Sequence, residues 1–216
     1  MTPAAVVDLC AVAIVGLGVL LAVTRSIGRS IWLVAAQSAF GAVAAVGVGV
    51  ALGLWHLVLA GLLAFGAKVV IYPLVLRAML RASTVTVERR PYVGPRWSLL
   101  IAIVIIFAAG SATSGLALPA SLGGERALPA GIAAMLTGLF LVMGRRKTLS
   151  LLIGLLVFEN GLSLVAFALT YGMPLVVELG ILFDLLIVVV VGWVYSRRML
   201  ATFGSLSTDH LRSLRG

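Results

Sequence analysis

Residues 148–194 read TLSLLIGLLVFENGLSLVAFALTYGMPLVVELGILFDLLIVVVVGWV, two apolar stretches of helical length that carry acids. Glu159 stands near the middle of the first, Asp184 near the middle of the second, and Glu178 six residues before Asp184. About 20 apolar residues cross the hydrocarbon core of a bilayer. In lipid every backbone amide and carbonyl must be satisfied within the segment, so each stretch reads as a transmembrane helix. An ionisable side chain at that depth costs about 2.5–3.5 kcal/mol on insertion scales, so such residues pair, titrate or line a water path. Three of them in one hairpin mark these helices as the functional core.

The rest of the chain has the same character. It is 62% hydrophobic and 11% charged, with a mean hydropathy of +1.21, a composition that serves lipid-facing surfaces and not water-facing ones. The expected fold class is all-α, a polytopic membrane helix bundle of about seven spans: 4–24, 31–54, 57–78, 98–118, 129–144, 149–171 and 174–196. The fifth is the shortest and is expected to begin inside the preceding loop. Asp8 stands where a cleaved signal would carry basic residues, so 4–24 reads as a retained span. Pro174 suits the start of the last helix, where its missing N–H costs nothing.

Charge placement gives the orientation. With the N-terminus outside, the inner segments hold Arg25 and Arg29; Arg77, Arg81, Arg89, Arg90 and Arg96; Arg145, Arg146 and Lys147; and Arg197, Arg198, Arg212 and Arg215, fourteen of the sixteen Lys and Arg residues. Only Arg126 falls in an outer loop, and Lys68 lies within a span. The positive-inside rule then predicts N-out, C-in. The net charge of +9 is thereby explained by cytoplasmic loops facing anionic lipid, and nucleic acid is not an expected partner. Trp32, Trp55, Trp97 and Trp193 fall near the expected interfaces and read as anchors. His56 falls there too, in the turn between the second and third spans. Gly41, Ala45, Gly49 and Gly53 share one face of the second span and predict close helix packing. The inner loop RASTVTVERRPYVGPRW and the tail MLATFGSLSTDHLRSLRG are candidates for membrane-surface contact, the loop also for a soluble partner.

Four titratable residues lie within spans: Lys68, Glu159, Glu178 and Asp184. Glu159 is twelve residues past Lys147, roughly 18 Å from the inner boundary, and Asp184 thirteen before Arg197, roughly 20 Å. Lys68 is nine before Arg77, about 13 Å in, and Glu178 about 9 Å farther out than Asp184. Burial and neighbouring charge bring such groups toward titration near neutral pH, which is what a proton relay needs. Asn160, Ser163 and Ser150 are candidates to order water between them. Static interhelical ion pairs are the plainer reading, and Lys68 has the further alternative of snorkelling to the inner surface. Cys10 is the sole cysteine, a small packing residue that permits no intramolecular disulfide. The sequence holds no Walker A loop, GxGxxG, CxxCH or metal-spaced cluster. No catalytic residue, cofactor site or metal site is therefore expected in this chain.

The segment RRKTLSLLIGLLVFENGLSL resembles the second helix and inner basic loop of the small NuoK-type subunit of respiratory complex I, and ELGILFDLLIVVVV followed by SRRM resembles its third helix. With four further spans in front, the chain looks like component E of hydrogenase-4, the NuoK-like membrane subunit of group 4 nickel–iron (NiFe) hydrogenases. The resemblance divides the chain into a four-helix region, 1–118, a NuoK-like three-helix region, 119–198, and a cytoplasmic tail, 199–216. It implies a non-catalytic membrane-arm subunit in a bacterial or archaeal cytoplasmic (inner) membrane, with antiporter-like membrane subunits and peripheral hydrogenase or oxidoreductase subunits as partners. The NiFe centre and iron–sulfur clusters would reside in those partners. In that family, carboxylates on the second and third helices belong to the ion-conducting axis, for protons or sodium. Asp184 falls at the third-helix position when the terminal arginines are aligned. Aligning LLIGL places Leu156 at the second-helix position, with Glu159 three residues on and nearly on the same face. Lys68 and Glu178 have no counterpart there. A subunit of a multisubunit cation/proton antiporter, or a structural scaffold of the membrane arm, remains an alternative.

Overall fold

A computed structural model of the chain describes residues 3–82, 92–116, 125–170, 187, 190–194 and 198. The described residues form a helix bundle without strands: α1 (Pro3–Val23), α2 (Ile27–Leu52), α3 (Trp55–Ala64), a π-helical segment (Phe65–Ile71), α4 (Tyr72–Ala82), α5 (Pro95–Thr113), α6 (Ala127–Gly144) and α7 (Thr148–Thr170). α3, the π segment and α4 run on as a single rod, so six helices are long and apolar enough to cross a membrane. These six correspond to the first six expected spans. Of the seventh, residues 190–194 are helical, and Trp193 packs on the cluster that contains Leu149, Leu152 and Ile153. Glu178, Asp184 and the tail lie outside the described residues.

The ends shift for local reasons. The α2–α3 turn falls at Gly53–Leu54 and not at Trp55–His56, because Gly53 takes a left-handed conformation (φ 70°) that closes α2. His56 is instead exposed in the first turn of α3. α5 begins at Pro95, three residues earlier than expected, since proline suits the first helical position. It ends at Thr113, where the Ser111, Thr113 and Ser114 hydroxyls donate to carbonyls of the preceding turn. Pro73 accounts for the π segment. Lacking an N–H, and with its ring crowding the Val69 carbonyl, it cannot continue an α-helical ladder. The preceding turn widens, so that the Tyr72 amide reaches back five residues to the Ala67 carbonyl. α4 then starts afresh with the proline in its first turn.

The ends of the six described spans sort into two groups. At one end, the Arg145 guanidinium donates to the Leu21, Ala22 and Thr24 carbonyls at 3.1, 3.1 and 2.9 Å, closing the C-terminus of α1. A cation there complements the helix dipole. Beside it the Tyr92 amide donates to the Gly144 carbonyl at 3.1 Å, and Arg146 stacks 4.1 Å over the Tyr92 ring. Arg77 lies 5.1 Å over Trp32, so this tryptophan pairs with a basic residue of the same end. At the other end, the Arg126 amide, where α6 starts, donates to the Asp8 carboxylate at 3.1 Å. We predict that Arg145→Met costs about 1.5–3 kcal/mol, the range for hydrogen bonds from a charged group. That is a fall of about 3–12 °C in melting temperature in detergent. Arg146→Met, which loses the stack on Tyr92, should cost at least about 1 kcal/mol.

α6 and α7 make the closest pair, and their glycines explain it. A methyl on Gly138 would stand 2.8 Å from the Gly154 carbonyl, and one on Gly161 2.7 Å from the Gly131 carbonyl. A methyl on the reciprocal positions, Gly154 and Gly131, would stand 3.1 and 3.0 Å from the Gly138 and Gly161 carbonyls. Two glycines seven residues apart on each helix thus let the backbones touch. In α2 the expected small-residue face divides its work. A methyl on Gly49 would stand 2.9 Å from the Val58 amide nitrogen, Gly53 makes the turn, and a methyl on Gly41 would meet open space.

Two apolar clusters fill the bundle, one toward each end. The first joins Val7 to Ile14, Ala44 to Val48, Ala127 to Ala134, and Leu164 to Ala168. The second joins Leu21, Ile31, Val34, Tyr72, Leu76, Leu141 and Leu149 to Val157. In the gap between them sit six buried polar residues: Gln37, Ser38, Lys68, Thr137, Glu159 and Asn160. This polar layer at mid-depth is where chemistry can occur.

Candidate functional site

Lys68 and Glu159, 91 positions apart in sequence, meet inside this layer. Lys68 Nζ lies 2.5 Å from both carboxylate oxygens of Glu159, with the two side chains 7% and 8% exposed. Lys68 is the buried residue of the π segment, so the widened turn that Pro73 imposes is also what carries the ammonium into the bundle. It does not snorkel. Glu159 comes from the α7 face fixed by the glycine seam. Leu156, the residue that alignment on LLIGL sets against the acidic position of the NuoK-type helix, is buried in the second cluster. One turn on, Glu159 meets its counter-ion.

The pair sits in a hydrogen-bond network whose direction can be traced. Gln37 Nε2 donates to the Ile14 carbonyl at 2.9 Å. A carbonyl only accepts, so this contact leaves Gln37 Oε1 as an acceptor. Asn160 Nδ2 donates to it at 3.2 Å and to Ser38 Oγ at 2.9 Å. Asn160 Oδ1 is thereby turned to Lys68 Nζ, 3.4 Å away. Ser163 Oγ donates to Glu159 Oε1 at 3.2 Å from one turn along α7. Tyr72, almost wholly buried one turn beyond Lys68, lies within electrostatic reach of Glu159. A cavity of about 50 Å³ opens beside the pair, with Ser38, Gly41, Lys68, Asn160 and Ser163 in its walls. The rest of its wall is apolar, Leu57, Leu164 and Phe167 among it. One water needs about 10–15 Å³, so there is room for a few beside the polar groups.

The expected site residues therefore divide. Lys68 and Glu159 come together, with Asn160 and Ser163 in contact as supports. Ser150 is not part of the site: it is buried near Arg145 and Thr24, beside a small crevice at the basic end of the bundle. Glu178 and Asp184 fall outside the described residues. Gln37 and Ser38 are additions, and the sequence signal for them was a polar pair inside the otherwise apolar second span. Among the described residues no group of His, Cys, Asp and Glu is arranged to hold a metal ion.

The protein defined by this fold and site is a polytopic membrane helix bundle with a buried lysine–glutamate pair at mid-depth. Proteins similar to it are named Hydrogenase-4 component E. Those of Escherichia coli K12 and of Shigella flexneri are each 29% identical over 153 residues, 71% of this chain and 71% of theirs. An uncharacterized protein of Mycobacterium tuberculosis is 42% identical over 89 residues, 41% of this chain and 40% of its own. No family model matches the chain, and no solved structure does.

Proposed function

We propose that the chain is a non-catalytic membrane-arm subunit of a complex of the hydrogenase-4 type, coupling electron transfer in partner subunits to ion movement through the membrane. The observation that carries this reading is the buried Lys68–Glu159 pair, in a polar layer with apolar clusters on both sides. Breaking a buried pair costs about 3–5 kcal/mol, and apolar replacements are often no less stable than the pair itself, so stability alone is a weak reason for one. Apolar packing above and below the layer disfavours passage along the bundle axis, whereas polar contacts run sideways from Ile14 through Gln37, Ser38 and Asn160 to Lys68, Glu159 and Ser163. That arrangement suits lateral transfer between neighbouring subunits, with Asp184 and Glu178 as further relay groups. The similarity to hydrogenase-4 component E supports this assignment. The basic end of the bundle is the cytoplasmic side, giving N-out, C-in in the cytoplasmic (inner) membrane. Antiporter-like subunits, peripheral subunits holding NiFe and iron–sulfur centres, and anionic lipids are the proposed partners.

Isolation in mild detergent tests the partners. Recovery of a NiFe-type large subunit, iron–sulfur proteins and antiporter-like proteins is the expected result, while antiporter-like proteins alone would move the chain to a cation/proton antiporter. The relay is tested in the assembled complex. Lys68→Met/Glu159→Gln, and separately Asp184→Asn, should leave assembly intact and lower coupled translocation about a hundredfold, the low end of what a positioned proton-transfer group contributes. Wild-type translocation in both would end the relay assignment, and loss of assembly in both would favour a scaffold.

A further inference from the structure

Around Lys68 Nζ the polar groups are all oxygens facing inward. Glu159 supplies two carboxylate oxygens at 2.5 Å and Asn160 Oδ1 stands at 3.4 Å. The amide cannot turn its nitrogen to the centre without losing the Gln37 acceptor, itself fixed by the Ile14 carbonyl. The Ser163 and Ser38 hydroxyls border the same space, and the cavity alongside has room for bridging water. Carboxylate, carbonyl, hydroxyl and water oxygens form the donor set of a hard cation. Here the cation is the end of a lysine. We propose that Lys68 is the tethered occupant of a monovalent-cation cradle, and that by filling it Lys68 restricts this position to protons, excluding sodium and potassium.

The electrostatics separate the two kinds of ion. The ammonium and carboxylate together are neutral, so a metal cation entering beside them adds an unpaired charge to a buried layer, with its desolvation uncompensated. A proton adds no lasting charge when its uptake is matched by release of another. It passes by exchange: an O–H bond forms on Glu159 with a proton taken from a neighbouring donor while an Nζ–H bond of Lys68 breaks and gives its proton to a neighbouring acceptor. Transfer from the acid to the amine then restores the ion pair, so the layer is neutral throughout. Removing the lysine leaves the oxygens and the space in place, with the carboxylate lacking its counter-ion. The cradle stands on geometry alone, whereas its consequence for the translocated ion rests on the relay reading above.

The test is thermal melting of the full-length protein in detergent, in sodium, potassium or choline chloride at equal ionic strength. Lys68→Ala and Lys68→Met, the second keeping the packing of the stem, should melt about 4 °C higher in one of the metal salts than in choline, at a concentration tenfold above the dissociation constant. The wild type and Lys68→Ala/Glu159→Gln should not distinguish the salts. Indifference of both single variants to the cation would mean that Glu159 has taken a proton instead, and would overturn the proposal. So would a salt effect that survives in the double variant. Both single variants are purified in parallel in each salt. Recovery in a metal salt but not in choline supports the cradle, and failure in all three overturns it. Melting reads binding to this chain alone, so its failure is distinct from a failure of the partner isolation or of the translocation measurement.

Discussion

Lys68→Met, melted in choline chloride, is expected to lose about 3–5 kcal/mol of stability, the cost of leaving one member of a buried ion pair without the other. For a chain of this length that is a fall of about 6–20 °C. Glu159→Leu should lose a comparable amount, because the ammonium is then the uncompensated charge. The double variant Lys68→Met/Glu159→Leu should return to within about 1 kcal/mol of the wild type, since apolar residues of similar volume often replace a buried pair without loss. The double-mutant cycle is therefore strongly non-additive, and its coupling energy measures the contact across 91 residues. Single variants whose losses simply add would show that the two charges do not depend on each other. The result also bears on function. A pair that can be replaced at little cost in stability, and whose replacement stops translocation, is kept for what it conducts.

The sequence and the structure part company at identifiable places. Counting residues from Lys147 and Arg77 put Glu159 and Lys68 at similar depths, and depth was enough because span lengths are set by the bilayer and not by the packing of side chains. What depth cannot give is the angular position of each residue. Lys68 reaches Glu159 because Pro73 widens the turn before it, and apolar periodicity carries no record of a π turn inside a uniformly hydrophobic run. Gln37 and Ser38 escape notice for a related reason. Short polar side chains in a span usually satisfy themselves against their own helix, as Thr113 and Thr137 do, so Ser38 beside Gln37 reads as one more of them, and the polar pair alone does not say that Gln37 reaches over to Ile14. Ser150 shows the converse error, being on the right helix but nine residues from Glu159 and so about 13 Å away. The glycines of α2 looked like a uniform packing face, yet only the neighbours on α3 decide that Gly49 is crowded and Gly41 is not.

The glycine seam between α6 and α7 carries the second large effect. Gly138→Val and Gly161→Val are each expected to cost at least about 3 kcal/mol, the upper end of ordinary overpacking. The obstacles are backbone atoms, Phe158 and the Gly154 carbonyl in one case, Met135 and the Gly131 carbonyl in the other. A flexible side chain can swing away from an added methyl, but a helix backbone moves only as a unit. Relief must come from separating α6 from α7, and that displaces Glu159 from Lys68, because α7 is the element that carries the acid while Lys68 belongs to the α3–α4 rod. The two costs should then be linked. In a protein that already bears Lys68→Met/Glu159→Leu, Gly161→Val should be less damaging than in the wild type, by roughly 0.5–3 kcal/mol, the usual range for coupled sites. Gly41→Ala and Gly110→Ala, which meet nothing within 4 Å, are the controls and should stay within about 0.5 kcal/mol. Equal losses at Gly161 in the two backgrounds would mean that the seam sets the packing of α7 without setting the geometry of the ion pair.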